Sequence, residues 1–184
     1  LSIIPSWNNY PKRSRSIICS TSLSGTVSYG TTFGVFPKDD AKVGICSMQD
    51  FWSSFRQVMN RIDVYDMSEF NGELEIFLEN IKGIESFDIS SINESNIGNL
   101  IDFLDQNVNV ESIVLDESKL GNDVKQNFKN SWLSYFDELL NPEKNGFELR
   151  TLSNWGERIN ESREVWTDSD SLLVIPNQVE RLLS

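Results

Sequence analysis

The sequence contains no histidine. Ser-His-Asp and Cys-His nucleophile systems, histidine-ligated zinc and a histidine general base are excluded together, so any catalysis falls to carboxylates, hydroxyls, arginine or lysine. Cysteine is scarce: Cys19 and Cys46 are the only 2, too few for a disulfide framework and without metal-ligand spacing. A reduced compartment is the simpler expectation, and no metal site is predicted. No apolar run approaches the roughly 20 residues that cross a bilayer, and the opening LSIIPSW is too short, and too polar in its continuation, for a signal peptide. A soluble protein is expected. Basic residues are in deficit, with 16 Lys and Arg against 28 Asp and Glu and a net charge of −12. That field repels a phosphate backbone and disfavours nucleic-acid binding outside a segregated basic patch. The one visible basic cluster is Lys12, Arg13 and Arg15. The first residue is Leu rather than Met, which points to a processed product or a fragment.

At 184 residues and 39% hydrophobic content, the chain is long enough for one domain with a real core, and one domain over 1–184 is expected. Residues 1–11 hold Pro5, Pro11 and Asn8-Asn9, a turn-rich lead-in. Ile17, Ile18 and Cys19 form a short buried strand, flanked by Ser and Thr, running into Ser20-Thr21-Ser22. Ser24-Gly25-Thr26 can cap a brief helix over Val27 to Tyr29, ended by Gly30. TTFGVF (31–36) is β-branched and aromatic, Pro37 to Asp40 is a turn, and residues 41–46 return as a strand, so the pair reads as a hairpin.

The middle changes period. Ser47-Met48-Gln49-Asp50 has the form of a capping box ahead of Phe51, Trp52, Phe55, Val58, Met59 and Ile62 at helical spacing. Ser68 is positioned to cap a second helix through Phe70, Leu74, Phe77, Leu78 and Ile81, with Gly83 at its end. Ile97, Leu100, Ile101 and Leu104 mark a third. After an acidic connection at Asp116-Glu117, a fourth carries Phe128, Trp132, Phe136 and Leu139 or Leu140 until Asn141-Pro142. Strand patterns then resume in FELRTL (147–152), REVWT (163–167) and LLVI (172–175), the last two spaced as a second hairpin. Strands near both ends and a mostly helical middle, about 47–141, describe an α+β fold.

Three groups of residues are candidates for chemistry. Ser20, Thr21 and Ser22 offer hydroxyls to a ligand's amide or ribose, although hydroxyls at strand ends ordinarily satisfy local backbone. Arg13 and Arg15, with Lys12, suit a pyrophosphate by charge and fork geometry, or are simply a solvated basic surface. In NESREVW, alternation puts Ser162 and Glu164 on one face of a strand and Glu161 and Arg163 on the other. A glutamate facing a cleft there can hydrogen-bond a ribose hydroxyl or stabilise developing positive charge. The acidic groups at Asp39-Asp40, Asp116-Glu117 and Asp168/Asp170 lack calcium-loop spacing and read as turns. Trp52, Phe55, Trp132 and Phe136 lie on helical stripes and read as core.

The order of a strand ending in Ser-Thr-Ser, a GVFP turn and strand, a long helical insert, a late REVW strand and an apolar closing strand resembles the Arg/Ser-Thr-Ser/Glu class of ADP-ribosyltransferases. RSRSIICSTS, GVFPKDDAKVGIC and DFWSSF are, more closely, similar to phage-encoded proteins of that fold. The resemblance covers residues 10 to about 55 and 161–175. It implies that Ser20, Thr21 and Ser22 shape a nicotinamide-ribose pocket, that NAD is the substrate, and that Glu164 is the catalytic glutamate, stabilising an oxocarbenium-like transition state as nicotinamide leaves. Two departures stand out. Ser162 occupies the position where the family often carries Glu or Gln, which argues against transfer to an arginine side chain. The family's arginine comes from a strand well upstream, for which Arg13 or Arg15 is the available substitute.

Two functions follow as expectations. One is an NAD-dependent mono-ADP-ribosyltransferase acting on a protein target, in a host cytoplasm. The other is a non-catalytic phage structural or interaction protein, such as a virion component, that retains the fold.

Overall fold

Short strands from both ends of the chain meet in one sheet. The computed structural model describes all residues except 27–28, 82, 87, 89–90, 113–117, 130, 158, 176–177 and 179–184. Among the described residues the protein is α+β, with five α-helices and six strands in two antiparallel sheets. The strands are β1 (Ile17–Ser20), β2 (Gly34–Pro37), β3 (Lys42–Ile45), β4 (Glu148–Thr151), β5 (Glu164–Thr167) and β6 (Ser171–Val174). One sheet has the order β1-β5-β3-β4 and the other pairs β2 with β6.

The chain divides into two compact units, one of residues 8–54 and 146–184, the other of residues 1–7 and 55–145. The first holds all six strands of the described residues. Its core is aromatic: Trp166 on β5 is buried, meets Phe51 and Phe147 edge to face and stacks on Tyr10. The indole N–H donates to Pro11 O at 2.9 Å, so the pre-strand segment is tied to β5. Gly44 of β3 lies directly opposite Trp166, and any side chain there would overlap the indole.

The second unit holds α1 (Arg56–Ile62), α2 (Met67–Glu79), α3 (Ile97–Asn107), α4 (Lys119–Asn127) and α5 (Trp132–Leu139). Asp66 caps α2, Ser118 caps α4 and Ser131 caps α5, each accepting backbone N–H bonds from the first turn. Phe55, Val58, Phe77, Leu120, Val124, Trp132 and Leu139 are fully buried. Within this core, Asp123 receives Arg61 Nε at 2.8 Å, Tyr135 Oη at 2.6 Å and Asn127 Nδ2 at 2.8 Å, so its buried charge is paired and hydrogen-bonded. Asn145 accepts from Gln57 N at 3.0 Å and donates to Leu139 O, pinning the two ends of the helical segment together. Charge is divided unevenly. The helical unit has 18 Asp and Glu against 7 Lys and Arg, a net −11, whereas the strand unit has 10 against 9, a net −1.

Several expectations are corrected. The two predicted hairpins do not form: β2 pairs with β6 rather than with β3, and β5 pairs with β1 and β3 rather than with β6. The Pro37–Asp40 and Asp168–Asp170 connections each carry the chain from one sheet to the other. The helix predicted from Phe51 starts later. Asp50 caps a 3-10 turn at Trp52–Ser54, accepting from Trp52 N and Ser53 N, and α1 begins at Arg56. Trp52, read as core, is 54% exposed. The fourth predicted helix begins only at Trp132, as α5, while Phe128 ends α4, a helix not predicted; Asp66 rather than Ser68 caps the second, and Ile17 and Ile18, expected to be buried, are exposed. The lead-in forms a 3-10 turn at Pro5–Trp7 with Trp7 buried and its Nε1 donating to Leu140 O. Val27, Asp116, Glu117 and Pro176, on which other expectations fall, lie outside the described residues.

Candidate functional site

β1 and β5 run antiparallel with Ser20 opposite Glu164, Cys19 opposite Val165 and Ile18 opposite Trp166. Directly opposed residues project from the same face of a sheet, so Ser20 and Glu164 stand side by side next to the buried Trp166. The Ser-Thr-Ser strand and the late glutamate, 144 positions apart in sequence, are therefore neighbours.

The three hydroxyls are engaged within the chain. Thr21 Oγ1 donates to Glu161 O at 2.6 Å and accepts from Arg163 N at 2.9 Å. With Thr21 N donating to Arg163 O at 3.0 Å, these bonds extend the pairing of β1 with the approach to β5. Ser20 Oγ accepts from Ser22 N at 3.2 Å and lies 3.4 Å from Ser162 Oγ. Ser22 Oγ pairs with Ser24 Oγ at 2.6 Å. Local satisfaction of strand-end groups, the ordinary role of such hydroxyls, describes all three. Strand alternation holds as predicted: Ser162 turns toward Ser20 on the Glu164 face, whereas Arg163 reaches Glu161 and Glu148.

Glu164 meets Arg13. Arg13 Nη1 lies 2.7 Å from Glu164 Oε1, with the two side chains 28% and 13% exposed. At this distance the two side chains form an ion pair. The guanidinium also sits over the Phe51 ring, 4.4 Å from its centroid, in cation–π geometry. Burial pushes the Glu164 carboxyl above its ordinary value; the Arg13 charge opposes this and nearby Asp50 adds to it. Main-chain bonding fixes the strand beneath, with Cys46 N donating to Glu164 O at 2.9 Å. The Cys46 thiol is itself buried and pushed up to about 12, by burial first and by the Glu164 charge second.

Arg15, the other candidate, does not reach Glu164. Its Nε and Nη2 both donate to Asp168 Oδ2, at 3.2 and 2.9 Å, and Lys12 N donates to the same oxygen at 3.3 Å. Asp168 sits just beyond β5, so the two arginines of one 3-10 turn grip acidic residues at opposite ends of the strand. Sequence reasoning missed Phe51 as the surface beneath Arg13, because its helical spacing with Phe55 and Val58 suggested a core stripe. It also missed Asp168, read as part of an acidic turn. The signal was the two-residue step in Arg13-Ser14-Arg15, matched by acids at both ends of EVWTD.

Chemically, the arrangement is a half-buried carboxylate on a sheet face, flanked by a strand-end hydroxyl and closed by a guanidinium. A ligand that takes Glu164 Oε1 competes with Arg13 for it. Among the described residues no three His, Cys, Asp or Glu side chains lie close enough to hold a metal ion, and no helix is long and apolar enough to cross a membrane. In comparisons with protein-family models, with curated proteins and with solved structures, nothing matches this chain.

Proposed function

We propose that the chain is an ADP-ribosyltransferase-like protein that uses NAD as substrate, with the β1/β5 face as the nicotinamide-ribose site and a protein as the acceptor. The observation that carries this reading is the register of Ser20 against Glu164 on adjacent strands, since a shared nicotinamide-ribose pocket requires both in one place. In the proposed reaction Glu164 holds the ribose and stabilises positive charge as the C1′–N bond breaks. The bonding pair leaves with nicotinamide, and an acceptor nucleophile, or water in hydrolysis, forms the new bond at C1′. Ser20 to Ser22 shape the wall of the pocket, and Arg13, once displaced from Glu164, offers its charge to the pyrophosphate. Ser162, two residues before Glu164, brings a hydroxyl rather than a carboxylate, so an arginine acceptor is disfavoured.

The test is transfer of label from NAD to protein, and NAD hydrolysis, in the wild type and in Glu164→Ala. Activity that disappears in the variant supports the reading; absence of both activities together with absence of NAD binding by calorimetry rejects it.

A second reading is favoured by a different observation. All three hydroxyls have partners within the chain and Glu164 is closed by Arg13, while the helical unit carries net charge −11. These suit a structural or interaction protein that keeps the fold without the chemistry, such as a virion component. Stable co-purification with a partner, unchanged in Glu164→Ala, supports it; strong NAD turnover removes it.

A further inference from the structure

The segment before β1 lies along the face that carries Glu164. Its start is fixed where Trp166 Nε1 donates to Pro11 O at 2.9 Å, and its end where Ile17 pairs with Thr167. Between these points is a three-residue 3-10 turn, Arg13–Arg15, with no side-chain cap and no buried residue. Its main-chain bonds, Arg15 N to Lys12 O and Ser16 N to Arg13 O, are internal to the segment. What joins the segment to β5 is charge: Arg13 on Glu164 and Arg15 with Lys12 N on Asp168.

We infer that residues 12–16 form a strap closed over Glu164, an autoinhibitory contact in which Arg13 occupies the carboxylate and Arg15 fastens the strap to Asp168. The inhibitory meaning rests on the reading of Glu164 as the ribose-facing carboxylate; the strap itself does not. The two fastenings differ in kind. The Arg13–Glu164 pair is largely screened from water, whereas the Arg15 side chain is 66% exposed. Exposed ion pairs are weak because solvent and salt screen them and because ordering long side chains costs entropy. The outer fastening is therefore the point of release. Once it opens, Arg13 is held by the inner pair and by its seat on Phe51, and it leaves both when the turn lifts.

The experiment compares the wild type with Asp168→Asn, which keeps the size of the side chain and an oxygen for Lys12 N but removes the charge that Arg15 grips. Carbodiimide-driven amidation of carboxyl groups with glycine ethyl ester, read by peptide mass spectrometry, reports access to Glu164 directly. Modification of Glu164 is expected to be about two- to fivefold faster in the variant, the range that loss of one exposed ion pair supports, with a thermal midpoint lowered by no more than about 4 °C. Arg15→Gln, at an exposed position, should behave the same way and serves as the second variant. An unchanged Glu164 rate in both variants overturns the strap. So does a faster rate accompanied by modification of buried Asp123, which reports general loosening.

NAD hydrolysis on the same proteins separates the two levels. Hydrolysis rising with modification supports autoinhibition, and hydrolysis that stays constant while modification rises overturns it. Faster modification with no hydrolysis by any form leaves the strap in place and rejects the transferase reading instead.

Discussion

Gly44 and Trp166 face each other across β3 and β5, and the indole lies over the glycine where a side chain would stand. The same indole anchors Pro11 and packs on Phe51, so this one close approach supports both the strap and the surface beneath Arg13. Gly44→Ala is expected to destabilise the protein by about 1–3 kcal/mol, as overpacking does in a filled core. Urea denaturation measures it. A shift of a few tenths of a kcal/mol would mean the indole has room to move.

Removing Arg13 leaves the Glu164 carboxylate half-buried without its counter-charge. Arg13→Ala is expected to cost about 1–2 kcal/mol at pH 7, below the range for a fully buried pair because Arg13 is partly exposed. The sign of the pH dependence follows from the direction of the shift. The folded-state value of Glu164 already lies above the unfolded one, and it rises further without Arg13. Folding then favours the protonated acid, so the loss is smallest below the unfolded value and grows as pH rises through the folded one. Unfolding free energies from pH 4 to 8 check this; a deficit larger in acid than at pH 7 contradicts it.

Asp123 accepts from Arg61, Tyr135 and Asn127 inside the helical unit. Asp123→Ala leaves the buried Tyr135 phenol without its acceptor and Arg61 with Glu138 at 3.4 Å, and should cost about 3–5 kcal/mol. Asp123→Asn, which retains an acceptor, should cost less. Hydrogen exchange should show the loss concentrated in α1, α4 and α5; an equal loss of protection in the β1-β5-β3-β4 sheet would contradict that localisation.

Cys46 is buried and its thiol is pushed up to about 12, so almost no thiolate exists at neutral pH. Iodoacetamide at pH 8 should leave Cys46 unmodified in the native protein and alkylate it in denaturant. Modification in native conditions at the rate of a free thiol would show that the packing around Cys46 opens readily.

The fold class and the candidate site were legible to different depths. α2 and α3 followed from apolar spacing, because each buries a single stripe. The hairpins do not form because strands adjacent in sequence pair elsewhere: β2 with β6, and β3 with β4 and β5. The strands are four residues long, and the turns between them carry no local mark of a change of sheet. α4 went unread because KLGNDVKQN carries only Leu120 and Val124 as large apolar anchors, in a polar segment stabilised by Asp123. The Ser20 and Glu164 positions were readable as motifs, whereas the Arg13–Glu164 contact was not, since it depends on register between segments far apart in the chain.

Asn145, which ties Gln57 to the end of the helical segment, has a kinetic consequence. β3 and β4 pair Ile45 with Glu148, an association that in an unfolded chain must close a loop of roughly a hundred residues. Once the helical unit has formed and Asn145 has joined its ends, the same pairing closes only a short connection, and a non-local contact becomes nearly local. The helical unit should therefore acquire protection first in refolding, with Asn145→Ala slowing the appearance of the sheet more than that of the helices.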